Sequence, residues 1–202
     1  MFWIIMYIFI TILHRRSDFF PGLGWMLTKT VWQELSVKWA RSYWDDWMRL
    51  PEQRRGRACI RPEISRTKTF GKIGVSNGLF YEKHLKYIVL NDKFVPFTVM
   101  DLSGFEKEKY DAKFLDDVYS RPVVSVDDVR RGNLKSGQGS VRVTYFTAND
   151  FKRAAKALGI MDDFKSGVPR TAYRGVVSFM RDGTRVYLAP NRNWAGYDPK
   201  WS

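Results

Sequence analysis

The chain has one cysteine, Cys59, so it cannot form a disulfide within itself. By composition alone a lone cysteine is a small buried apolar group. Histidine is nearly as scarce. His14 and His84 are the two present, and they are too few and too far apart to suggest a metal centre. The uncharged apolar run at residues 1–13 falls short of the about 20 residues that a helix needs to span a bilayer. It also lacks the charged start and small-residue cleavage site of a signal peptide. The spacing GxxxxGK[ST] does not occur, which excludes a P-loop. No zinc-ligand cluster and no RNA-recognition signature occur either, and these absences argue against a nucleic-acid partner. Internal repeats and low-complexity stretches are missing.

What is present is a basic, aromatic-rich chain. It has 34 Lys plus Arg against 21 Asp plus Glu, a formal charge of +13. That balance suits an anionic partner: a nucleic acid, an acidic membrane surface or a phosphorylated small molecule. Hydrophobic residues make 45% and aromatic residues 16% of the 202 positions. Such a chain is globular and long enough for one or two small domains around a substantial core.

Chemistry-bearing residues concentrate at 44–78, WDDWMRLPEQRRGRACIRPEISRTKTFGKIGVSNG. Asp45 and Asp46 lie between Trp44 and Trp47. Burial beside large rings raises a carboxylate's pKa and a neighbouring arginine lowers it, a setting in which a carboxylate can act as a base. The plainer reading of the pair is a helix cap. Gly71, Gly74 and Gly78 surround Lys72, Ser76 and Asn77, a loop able to turn N–H groups and a hydroxyl toward an anion. It is equally readable as a turn.

Periodicity predicts a helix over 25–39 with Leu27, Val31 and Leu35 in one row, and a short helix over 44–49 ended by Pro51. Residues 58–62 and 67–70 read as strands, 80–87 as a helix, and 89–104 as a connection. Tyr110, Phe114, Leu115 and Val118 form a helical stripe, and 123–126 reads as a strand. Val141, Val143 and Tyr145 alternate as a half-buried strand. Phe151, Ala154, Ala155 and Leu158 form the face of a helix capped by Thr147 or Asn149. Arg181-Asp182-Gly183 between VVSFM and RVYLA signals a hairpin.

Taken together, DFFPGLGWML, WDDWMR, PEQRRGRACIRPEISRT, FGKIGVSNG, KALGIMDDFKSGVPR, YRGVVSF, RVYLAP and the ending GYDPKW carry a resemblance. In order and spacing, residues 18–202 resemble the carboxyl-terminal portion of the N-acetylglucosaminyltransferase I family. The resemblance implies an α/β chain: the carboxyl-terminal part of a GT-A type, Rossmann-like glycosyltransferase domain at 18–88, a connection at 89–106, and a small α+β domain at 107–202. Residues 1–17 are expected to be a short apolar segment foreign to the family.

The same resemblance implies an inverting transfer of N-acetylglucosamine from UDP-GlcNAc, in β-1,2 linkage, to the α-1,3-mannose arm of a mannose-terminated N-glycan. It makes Asp45 the catalytic base and puts Trp44 beside it. Ser76 would bond the donor's diphosphate, Leu23 and Leu85 would surround its N-acetyl group, and Arg57 is structural. The family's match to Cys59 pairs with a cysteine further upstream. The resemblance also implies manganese (Mn2+) held by an Asp-x-Asp-like motif, a membrane anchor and the Golgi lumen. No Asp-x-Asp triplet occurs in this chain, so no metal ligand is assigned and the chain alone is expected to be inactive. The pairs Asp116-Asp117, Asp127-Asp128 and Asp162-Asp163 read as surface or capping residues. The alternatives are a catalytically dead glycan- or enzyme-binding fragment and a basic nucleic-acid-binding protein.

Overall fold

A computed structural model describes residues 14–69, 72–73, 77–134 and 139–202. In chain order it has β1 (His14–Ser17), α1 (Lys29–Ser36), α2 (Trp44–Arg49), α3 (Pro51–Arg54) and β2 (Cys59–Pro62). Then come α4 (Lys107–Tyr119), α5 (Val126–Arg131), β3 (Ser140–Tyr145), α6 (Ala148–Leu158), β4 (Phe164–Lys165), β5 (Val168–Pro169), β6 (Val177–Arg181) and β7 (Thr184–Pro190). Helices and sheets are thus mixed, as an α/β chain requires. Two units separate: Met1–Arg16 with Ile60–Leu102, and Ser17–Cys59 with Ser103–Ser202.

The second unit is built on a three-stranded sheet ordered β3-β7-β6, with β3 parallel and β6 antiparallel to β7. The alternation at Val141, Val143 and Tyr145 is what fixes its buried face: all three are within 2% of full burial. Phe151, Ala155 and Leu158 of α6 pack on that face. Burying a side chain of this size stabilises by roughly 1.5–3 kcal/mol. Thr147 caps α6, its Oγ1 accepting from Asp150 N at 3.1 Å while the Asp150 carboxylate accepts from Thr147 N at 3.0 Å. The hairpin β6–β7 turns through Asp182 and Gly183, both at positive φ, with Arg181 opposite Thr184. That is the two-residue turn whose twist matches the strands. On the sheet's other side, the stripe Tyr110, Phe114, Leu115 and Val118 of α4 packs with Tyr173 and Tyr187.

The strand expected at 123–126 is reduced to a single bridge between Val123 and Arg142. Ser125 starts α5 instead, accepting from Asp128 N at 3.0 Å while Asp128 accepts from Ser125 N at 3.2 Å. This reciprocal capping, which makes Asp128 a capping residue, outcompetes a ladder at the same place.

The helix expected over 25–39 is shorter. It runs from Lys29 to Ser36, with Thr28 as its cap. The apolar residues outside it have another task. Trp25 stacks on Trp39 at 6.3 Å and tilts against Trp44 at 5.5 Å, so Trp25 packs from the segment that precedes the helix. Trp25, Trp39, Trp44 and Trp47, with Leu27 and Val31, close over buried Phe20, Leu35 and Met48.

In the first unit the predicted strand at 67–70 is absent from 67–69; Phe70 lies outside the described residues. The predicted helix at 80–87 is a series of wide turns ending in a 3-10 turn, Leu85–Tyr87. Leu85 N and Lys86 N donate five residues back, to Phe80 O and Tyr81 O, which an α-helix does not do. The turns begin at Gly78, where a side chain would come within 2.7 Å of the Lys72 carbonyl and φ is positive. Only glycine fits both demands. No helix among the described residues is long and apolar enough to cross a membrane.

Candidate active site

The motif WDDWMR is α2, a helix of six residues. It begins after Tyr43, which is left-handed and gives no side-chain cap. Asp45 and Asp46 therefore do not cap the helix; they occupy its first turn, where a negative charge favours the helix dipole. So short a helix stands only through its contacts. Trp44 and Trp47 enter the aromatic cluster, and Arg49 ties the last turn to the first.

Arg49 is the centre of the charge arrangement. Its side chain is 7% exposed. Nη1 donates to Asp45 Oδ2 at 2.8 Å and to Asp46 Oδ1 at 2.7 Å. Nε donates to the Phe20 carbonyl at 3.1 Å, and the guanidinium lies 4.8 Å from the Phe19 ring centroid. A buried guanidinium needs such partners, since an unpaired charge there is strongly destabilising. The DFFPGLGW segment thus carries the floor of the site. A side chain on Gly22 would meet Arg49 Nη2 at 3.4 Å and Asp45 Cβ at 3.8 Å, and φ there is +76°.

The two aspartates differ in their partners. Asp46 is held at both oxygens, Oδ1 by Arg49 and Oδ2 by Lys165 Nζ at 3.1 Å. Partial burial works against its charge, but the hydrogen bonds from Lys165 and Arg49 outweigh it and hold the carboxyl below its ordinary value. Asp45 is held at Oδ2 alone. Its Oδ1 has no hydrogen bond among the described residues. Its side chain is 40% exposed, enough to be reached from solvent.

The other residues singled out by sequence fall as follows. Trp44 is half-buried, 6.1 Å from Phe20 and from Trp39. Leu23 is in the same unit and more than half exposed, at 53%. Leu85 is half-buried in the other unit, in its 3-10 turn. Ser76 lies outside the described residues, as do Gly71 and Gly74.

Arg57 grips Glu34 with both nitrogens, at 2.7 and 3.1 Å, and donates to the Gln53 carbonyl. It fastens α1 to α3. Its hydrogen bond lowers the Glu34 carboxyl, and the carboxylate raises the guanidinium. Cys59 is a free thiol packed against the tryptophan cluster. Burial first, and the charge of Asp18 second, push it up to about 11.

Sequence reasoning missed three partners. Arg49 was legible, since Asp45 and Asp46 precede it by four and three positions, the spacing at which helical side chains meet. Lys165 lies 119 positions from Asp46, and no local signal joins them. The third is Tyr197, whose hydroxyl donates to Asp18 and accepts from Gly175 N at 2.9 Å. As for a metal, among the described residues no group of three His, Cys, Asp or Glu could hold one. The described residues do not fit such a site.

A family model described as the GNT-I family matches residues 8–201. A curated relative from Arabidopsis thaliana, alpha-1,3-mannosyl-glycoprotein 2-beta-N-acetylglucosaminyltransferase, is 46% identical over 176 residues. Those residues are 86% of this chain and 39% of the relative, so the chain spans about two fifths of that protein's length. The class these matches define is the glycosyltransferases. Within it, the chain belongs to the GNT-I family.

Proposed function

We propose that this chain provides the base and part of the donor pocket of an inverting N-acetylglucosaminyltransferase, with UDP-GlcNAc as donor and the α-1,3-mannose arm of an N-glycan as acceptor. In this reading Asp45 takes the proton from the acceptor hydroxyl as its oxygen bonds to the anomeric carbon. The bond to the diphosphate breaks, and UDP leaves with the electron pair. The observation that carries the assignment is the asymmetry of the pair. Asp46 has both oxygens engaged by cations and a lowered proton affinity, which makes it a weak base. Asp45 keeps one oxygen open, and Arg49 fixes the other.

Trp44 walls the base, and by resemblance to the family Leu23 and Leu85 are each assigned to the donor's N-acetyl group and Ser76 to its diphosphate. The parent architecture is GT-A, and the setting is the lumenal side of the Golgi membrane. The family's manganese is expected to be held by residues other than those described here, and no step is assigned to it.

The test joins the amino-terminal portion of the Arabidopsis relative to residues 18–202 of this chain. The chimera should transfer N-acetylglucosamine to a mannose-terminated N-glycan. Asp45→Asn should lower kcat by about 10²–10⁴-fold while UDP-GlcNAc still binds. A chimera in which Asp45→Asn turns over normally would refute the assignment.

A further inference from the structure

Arg49 Nη1 is shared between two carboxylates, and that sharing has to be maintained. Asp46 could draw the guanidinium to itself with both oxygens, since a planar guanidinium favours two parallel bonds to one carboxylate. What stands against this is Lys165, which occupies Asp46 Oδ2. With Lys165 the cluster counts two cations, Arg49 and Lys165, against two anions, Asp45 and Asp46. Arg170, over the Phe19 ring at 5.1 Å, is taken up by Asp163 at 2.7 Å, and Lys152 lies over the Phe164 ring at 5.5 Å.

Lys165 is also delivered by a fixed piece of backbone. It ends β4, pairs with Val168 across a two-residue turn, and follows buried Phe164. Phe164 packs on Phe151 at 5.0 Å and on Trp201 at 5.9 Å. The turn itself, Ser166-Gly167, has positive φ at both residues. A side chain on Gly167 would sit 2.2 Å from the Asp198 carbonyl, and Gly167 N donates to Ser202 Oγ at 2.9 Å. The hairpin therefore has little freedom to carry Lys165 away.

We infer that Lys165 is a positioning residue for Asp45: by holding Asp46 at Oδ2 it keeps Arg49 shared, and so keeps the Asp45 carboxylate tethered and its neighbour's charge neutralised. This rests on the reading of Asp45 as the base. Loss of Lys165 lets Asp46 take both guanidinium nitrogens. Asp45 then loses its tether and its cation, and the cluster is left with one cation, Arg49, against two carboxylates.

The experiment compares wild type, Lys165→Met and Lys165→Arg. In the full 202-residue chain, carbon-13 carboxyl signals of Asp45 and Asp46 are followed. Lys165→Met should move the Asp46 titration to higher pH and shift the Asp45 carboxyl signal at neutral pH, and Lys165→Arg should restore both. In the chimera, Lys165→Met should lower kcat roughly tenfold, the scale of a small misplacement of a reacting group, with KM little changed and Lys165→Arg recovering most of the loss. An unmoved Asp46 titration or an unmoved Asp45 signal overturns the inference, as does an unchanged kcat in an active chimera. If the wild-type chimera is inactive, the reading of function fails, and the two carboxyl signals still decide whether Lys165 controls the cluster.

Discussion

The Tyr197 hydroxyl donates to Asp18 Oδ2 at 2.6 Å across 179 positions of chain. The same carboxylate oxygen accepts from Arg174 N at 2.8 Å. This bond fastens the carboxyl-terminal segment to the DFFPGLGW segment, whose Phe20 carbonyl and Gly22 in turn support Arg49 and Asp45. Burial, and then the charge of Asp18, hold the phenol protonated well above its ordinary range.

Tyr197→Phe removes the donor to Asp18 and the acceptor for Gly175 N at once. Leaving a buried polar group unpaired costs about 1–3 kcal/mol. The variant should be less stable by that amount, its urea midpoint falling while the slope of the transition stays unchanged. A midpoint equal to wild type would mean that the contact adds nothing to stability.

Cys59 should behave as an unreactive thiol. At about 11 its proton stays on at neutral pH, and the thiolate is the reacting form. Labelling by a disulfide reagent should be slow in the native chain and fast in denaturant. Rapid native labelling at pH 7 would contradict the packing of this half-buried thiol against the tryptophan cluster.

Acid should destabilise the second unit through its carboxylates. Asp46, Asp111, Asp128 and Asp150 all have folded values below their ordinary ones, despite opposing burial in each. Hydrogen bonds from Lys165 and Arg49, from Tyr173 and Lys107, from Ser125, and from Thr147 respectively are responsible. A depressed folded value gives stability that is present above the unfolded value, near 3.9, and lost as pH falls through the folded one. Stability measured by denaturant should therefore hold from pH 7 to about 5 and drop below about 4. Converting Asp128 to Asn should flatten part of that drop.

The elements that could be read directly from sequence were those whose signal is local. Val141, Val143 and Tyr145 announce their strand by alternation, Thr147 or Asn149 announces a helix start, of which Thr147 is the cap, and Arg181-Asp182-Gly183 announces a turn. The readings that changed were those decided by distant packing. Trp25 looks helical by spacing, yet it leaves the helix to stack on Trp39 and Trp44. Val123 looks like strand, yet Ser125 and Asp128 start a helix two residues on. At the site, Asp45 and Arg49 share a turn and could be paired on paper. Lys165 and Tyr197 reach it only through the fold of the second unit.

The last expectation concerns the chain by itself. It has the proposed base, Asp45, held by Arg49, but no Asp-x-Asp triplet, and its described residues offer no cluster able to hold a metal. A bound metal contributes several kcal/mol by neutralising charge on a departing phosphate. Fixing the donor in line with the acceptor contributes still more, about 7–11 kcal/mol in favourable cases. A base alone gives about 10²–10⁴-fold, which is small beside those terms. The purified 202-residue chain, supplied with UDP-GlcNAc, manganese and a mannose-terminated N-glycan, should therefore show no turnover above background under conditions in which the chimera is active. Turnover by the chain alone would mean that its own residues hold the donor and its diphosphate, and the donor site would then have to be sought among the arginines and lysines of this chain.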